Sequence, residues 1–98
     1  MAKNLILHVT FEYFIQIDSG EKKEEYRIVT PYWWSRLYGK IFDKIIILHG
    51  YPKREDYNPT NYIEFPWNGY KIKVITHPLF GNVPQEVFAI KLEKNHDR

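Results

Sequence analysis

The stretch GEKKEEYR, residues Gly20 to Arg27, places six charged side chains in eight positions behind a glycine. Lys22, Glu25 and Arg27 follow Gly20 in a G-x-K-x-x-E-x-R pattern. A lysine beside a carboxylate can stabilise a phosphorane or position a water, and it can equally be an ion pair in a binding site. Arginine adds a planar fork suited to phosphate and base edges. If the protein is an enzyme, Lys22 and Glu25 are its catalytic candidates. The plainer alternative is an exposed strand with a ladder of salt bridges.

Other chemistry is thinly represented. The chain has no cysteine, which excludes disulfides, zinc-thiolate sites and cysteine nucleophiles. Four histidines (His8, His49, His77, His96) are scattered without a ligand spacing on one helix, so no metal site is assigned. His49 and His77 fall near loops. The glycines are spread singly, with no phosphate-cradling pattern, and Ser19 and Ser35 lack a nucleophile-elbow context. No cofactor is expected. Aromatic and basic residues do mix in two places, at Tyr32, Trp33 and Arg36 and again at Tyr51, Lys53 and Arg54. Such mixtures grip phosphate and stack on unpaired bases.

These residues need elements to hold them. NLILHV (Asn4–Val9) reads as a strand, and Thr10 as the N-cap of a helix over FEYFIQI, with Phe11, Phe14 and Ile15 facing the core. Gly20 suits the left-handed residue that closes a helix. In the next strand Tyr26 and Ile28 share one face, with Glu25 and Arg27 on the other. Lys22 has the wrong parity to join them unless the strand begins after it or a bulge follows Gly20. Thr30 and Pro31 start a second helix, PYWWSRLYG, which turns Trp33, Trp34 and Leu37 inward and stops at Gly39. Adjacent tryptophans on a helix cannot both point fully inward. KIIILHG (Lys44–Gly50) is a strand buried on both faces.

Tyr51–Pro59 is the longest loop. TNYIEFPW-NG-YKIKVIT reads as a hairpin on a type I′ turn at Asn68–Gly69. That register pairs Trp67 with Tyr70, Phe65 with Ile72, Ile63 with Val74 and Glu64 with Lys73. After a turn-rich loop, EVFAIKLE is a strand with Phe88, Ile90 and Leu92 inward, and KNHDR a loose tail. The order β-α-β-α-β-β-β-β implies a mixed α+β fold, a small, mostly antiparallel barrel with two short flanking helices.

The chain has 98 residues, 44% apolar and 17% aromatic, with a net charge of +2. That fits one globular domain over residues 1–98 and excludes disorder. No signal peptide or membrane-spanning run is evident, so a cytoplasmic monomer with no membrane partner is the expectation.

The charge pattern, the layout YFIQIDSGEKKEEYRIVTPYWWSRL, FDKIIILHGY and the final VFAIKL together resemble the ASCH domain family of the PUA-like superfold. The resemblance runs nearly end to end. It implies a small β-barrel whose cleft is lined by Lys22, Glu25 and Arg27, and an RNA or nucleoside partner. Tyr32, Trp33, Arg36, Tyr51, Lys53 and Arg54 would extend that surface. Some ASCH relatives are enzymes. One branch resembles acetylcytidine amidohydrolases with a threonine nucleophile after the motif lysine, where this chain has Glu25. Another is similar to metal-assisted ribonucleases, for which a divalent metal would be needed.

Overall fold

The computed structural model describes residues 3–93; the tail KNHDR, with His96, lies outside them. Strands and helices follow in the order the sequence implies: β1 (Asn4–Val9), α1 (Phe11–Asp18), β2 (Glu24–Ile28), α2 (Pro31–Leu37), β3 (Lys44–His49), β4 (Tyr62–Pro66), β5 (Tyr70–Ile75) and β6 (Gln85–Lys91). Short 3-10 turns at Arg54–Asp56 and Pro78–Phe80 interrupt the two long loops.

The strands form two three-stranded sheets, ordered β1-β3-β4 and β2-β6-β5. β1 and β3 run parallel, and the other pairings are antiparallel. A parallel pair needs a crossover, and α1, β2 and α2 make it. Within that crossover β2 departs to the second sheet. β1 and β2 therefore become edge strands of different sheets. No ladder among the described strands closes the two sheets into a cylinder, so the architecture is a small α+β fold of two open sheets.

The core fills the space between them. β3 is apolar on both faces because it is the central strand of its sheet, and Ile45 to Leu48 are all buried. Leu5, Leu7, Ile63 and Phe65 join it from β1 and β4, facing Phe88 and Ile90 of β6. Both helix starts form as their sequences dictate. The Thr10 hydroxyl accepts from Tyr13 N at 3.3 Å and the Thr30 hydroxyl from Trp33 N at 3.2 Å.

The inward stripe of α1 is Phe14 and Ile17, not Phe11, Phe14 and Ile15. Phe11 and Ile15 stay 56% and 49% exposed. An eight-residue helix presents only a narrow line to the core, and its first residue ends up at the margin, with the Phe11 ring 5.1 Å from His49. On α2 the outcome is similar. Leu37 is fully buried and Trp33 packs on the core, but Trp34 turns outward and stacks on Tyr38 at 4.2 Å. Neighbours on a helix diverge by about 100°, so only one tryptophan can follow Leu37 inward.

The expected β4–β5 hairpin does not form. β4 pairs with β3 and β5 with β6, so the two strands belong to different sheets. Gly69 adopts a positive φ (+82°), but Asn68 does not, so the type I′ turn, which needs both, is not formed either. The turn is a crossing between sheets, held by Lys91 N donating to Gly69 O at 3.2 Å and Asn68 Nδ2 to Glu93 O at 3.3 Å. Of the proposed couples, Trp67 and Tyr70 keep a ring contact at 6.4 Å. Glu64 pairs instead with Lys44 at 3.2 Å, and Lys73 with Glu24 at 2.7 Å. The physical reason is competition. β3 and β6 offer longer apolar partners that bury Ile63 and Phe65, and Pro66 lacks a ladder donor next to the turn.

Candidate functional site

Gly20, at φ +85°, lets the chain reverse at the end of α1. Gly20 N donates to Ile17 O at 3.1 Å and Lys22 N to Gln16 O at 2.9 Å. That tie folds Lys22 back over the helix, where its ammonium lies 5.0 Å from the Tyr13 ring centre and 4.9 Å from that of Tyr26. The strand begins only at Glu24, after Lys22, which resolves the parity problem.

β2 then delivers the other two signature residues. Glu25 lies opposite Ile90 and Arg27 opposite Phe88, and residues directly opposite share a face of the sheet. Phe88 and Ile90 belong to the core. The charged face of β2 is therefore the inward one. Glu25 is 4% exposed, the one buried charged residue among those described.

Burying a carboxylate is expensive unless charge and hydrogen bonds compensate it. Arg27 Nη1 donates to Glu25 Oε2, and Lys22 Nζ stands 3.5 Å from Oε1. Oε1 itself accepts no hydrogen bond among the described residues. Arg27 is anchored further by donating from Nη1 to Tyr26 O and from Nη2 to His8 O, both at 3.0 Å. The second of these bonds crosses from β2 to β1, spanning the seam between the sheets. The guanidinium also lies 5.4 Å from the Trp33 ring centre.

The opposite face of the edge strand β2 carries a second, part-buried network, whose Glu24 and Tyr26 also reach the cavity lined by Lys22, Glu25 and Arg27. Lys73 Nζ and the Tyr26 hydroxyl both donate to Glu24 Oε1, at 2.7 and 2.9 Å. Burial would raise the Glu24 carboxyl, but the bonds from Lys73 and Tyr26 outweigh it and hold the group below its ordinary range. Bonding to Glu24 raises the Lys73 ammonium. On the inner side, burial first and then the Glu25 charge raise the Tyr13 phenol, so it remains a neutral donor.

Lys22, Glu25 and Arg27 line a cavity of about 600 Å³. Tyr13 and Gln16 of α1 form one wall, and His77, Leu79 and Phe80 of the β5–β6 loop form another. His77 Nδ1 accepts from Leu79 N at 3.0 Å, which shapes that loop. A second, shallower cavity of about 370 Å³ adjoins it. Tyr32 and Trp33 line this one, together with Tyr26, Arg27 and Phe80, which line both. Arg36 covers the outer rings, 5.4 Å from the centre of Tyr32 and 5.8 Å from that of Trp33.

Six of the residues singled out in the sequence are thus gathered: Lys22, Glu25, Arg27, Tyr32, Trp33 and Arg36. Tyr51 is a step removed. It is 84% exposed and stacks on His8 at 4.3 Å, the residue whose carbonyl receives Arg27. Lys53 and Arg54 are exposed on the long loop and line neither cavity. Tyr13, Phe80 and His77 are cavity residues that sequence reasoning left out of the site. Tyr13 carried a local signal, since it stands one helical turn from Gln16, on the side to which Lys22 returns. Phe80 and His77 carried none, because only the tertiary fold brings their loop to β2. Among the described residues no group of three or more acidic or histidine side chains could hold a metal ion. Searches against protein-family models, curated proteins and solved structures give no match to this chain.

Proposed function

We propose that this protein is an ASCH-type RNA-binding domain, a cytoplasmic monomer of PUA-like architecture, whose cleft takes an RNA end, an unpaired base or a modified nucleoside. The observation that carries the reading is Glu25. Its carboxylate is buried, with Arg27 bonded to Oε2 and Lys22 beside Oε1, and Oε1, without a hydrogen-bond donor, lacks a stabilisation of about 1–3 kcal/mol. A ligand N–H supplies it once the side chains covering Oε1, Lys22 at 3.5 Å among them, shift to admit it. Nucleobases combine such donors with flat apolar faces, and Tyr13, Tyr26 and Phe80 offer rings to match. Lys22 beside Glu25 provides a cationic donor for the acceptor atoms that neighbour those N–H groups on base edges. A solvated ladder does not account for this arrangement, since its charged members would face water.

The test is incubation with a panel of RNA oligomers and natural and modified nucleosides, with and without divalent metal, followed by mass spectrometry and affinity measurement. Binding with unchanged material supports a recognition module. Cleaved RNA, especially if metal-dependent, makes the same cleft a ribonuclease site. Loss of an acyl group makes it an amidohydrolase site. Failure to bind or alter any member of the panel overturns the reading.

A further inference from the structure

The two adjoining cavities differ in charge, and that difference bears on the form of the ligand. Among the described residues, the larger cavity is lined by four cations and four carboxylates, a neutral balance. The smaller one has Arg27 as its only charged lining residue, with Arg36 lying over its Tyr32 and Trp33 rings. The larger cavity therefore suits a neutral group with N–H donors. The smaller favours an anion next to an aromatic surface. Arg27, in the wall common to both, uses both Nη1 hydrogens and one on Nη2 in the bonds to Glu25, Tyr26 and His8. Its Nε and second Nη2 hydrogens make no bond among the described residues, leaving donors free for a phosphate oxygen.

We infer that the site is built for two successive nucleotides of single-stranded RNA. One base enters the neutral cavity against Glu25. The linking phosphate meets Arg27 at the shared wall, and the second base lies on the Tyr32 side under the influence of Arg36. This inference rests on the nucleotide reading of the Glu25 cavity and extends it from a nucleoside to a short strand. It also assigns Tyr32 and Arg36 to the second position. Both are exposed, so neither is needed for the core.

The experiment compares the dinucleoside monophosphates of RNA with the matching nucleosides by calorimetric titration at several salt concentrations. The expected result is an affinity gain of about tenfold from the second nucleotide, in line with one stacked base. Nucleoside binding should be almost independent of salt, while the dinucleotide should show a log–log slope of about −0.7, that of one phosphate contact on a single strand. Tyr32→Ala should abolish the gain and leave nucleoside affinity intact, and Arg36→Gln should weaken only the dinucleotide. Equal affinity for both ligand forms, or a gain that survives Tyr32→Ala, overturns the inference while the nucleoside reading stands. If neither form binds, both fall.

Discussion

Glu25 is the residue on which the site depends, because its charge is buried and its neighbours are arranged around it. Glu25→Gln keeps the shape and removes the charge, leaving Lys22 and Arg27 to face each other across a neutral amide. We expect a loss of about 1–2 kcal/mol in denaturant unfolding, larger than an exposed ladder would give, because hydrogen bonds to charged groups contribute more than neutral ones. Ligand affinity should fall at least about tenfold. Lys22→Ala should reduce affinity comparably with a smaller effect on stability, since its ammonium makes no hydrogen bond to the carboxylate. Arg27→Lys is the most selective change. It keeps the positive charge but cannot donate at once to Glu25, Tyr26 O and His8 O, so affinity should drop although net charge is unchanged. Full affinity in all three variants would return these residues to a structural role.

The same strand makes a testable distinction at the scale of elements. Glu24, on its opposite face, pairs with Lys73 of β5, whereas a β4–β5 hairpin would pair Lys73 with Glu64. Double-mutant cycles should find coupling between Glu24 and Lys73 and none between Glu64 and Lys73. The pH dependence has a defined sign. The Glu24 carboxyl is held below its ordinary value of 4.5, so at acidic pH the unfolded state binds the extra proton first. The stabilisation by Glu24 is therefore present above about that pH and lost as pH falls through the lower folded value. Thermal unfolding of the native protein and Glu24→Gln should differ near neutrality and converge in acid. Gly69→Val tests the turn between the sheets. No atom lies within 4 Å of an added Cβ there, so a loss above about 1 kcal/mol would arise from the φ of +82° alone. An unchanged melting temperature would remove the conformational requirement.

For the molecule as a whole, the consequential feature is the seam between the two sheets. β1 and β2 are both edge strands, and Arg27 spans them by donating to the His8 carbonyl. Arg27→Ala deletes the bridge and strands the buried Glu25 charge. Global stability should fall by about 2–4 kcal/mol, by analogy with other broken, largely buried pairs. Amide exchange should accelerate along β1 more than in the centrally placed β3, because opening begins where a strand is paired on one side only. Uniform exchange behaviour across β1 and β3 would show that the bridge does not govern the seam.

Much of this protein follows from local rules that the sequence states directly. Thr10, Thr30 and Pro31 start the helices because their side chains and ring geometry satisfy or remove end donors. Four consecutive apolar residues make β3 a central strand, and parity puts Glu25 and Arg27 on one face. Lys22, Glu25 and Arg27 were legible as a set from their spacing. Sequence alone could not say that their face turns inward, since that depends on which side of β2 the core lies. Nor could it place His77 and Phe80 opposite them, or keep Lys53 and Arg54 away. The NG turn misled for the same reason. Gly69 takes the positive φ expected of it but Asn68 does not, so the type I′ turn is lost together with the hairpin. Strand partners are chosen by long-range burial, and β3 and β6 outcompeted the neighbour in sequence. Local chemistry determined the elements and their charged residues, while the choice of non-local partners decided which of those residues share a cleft.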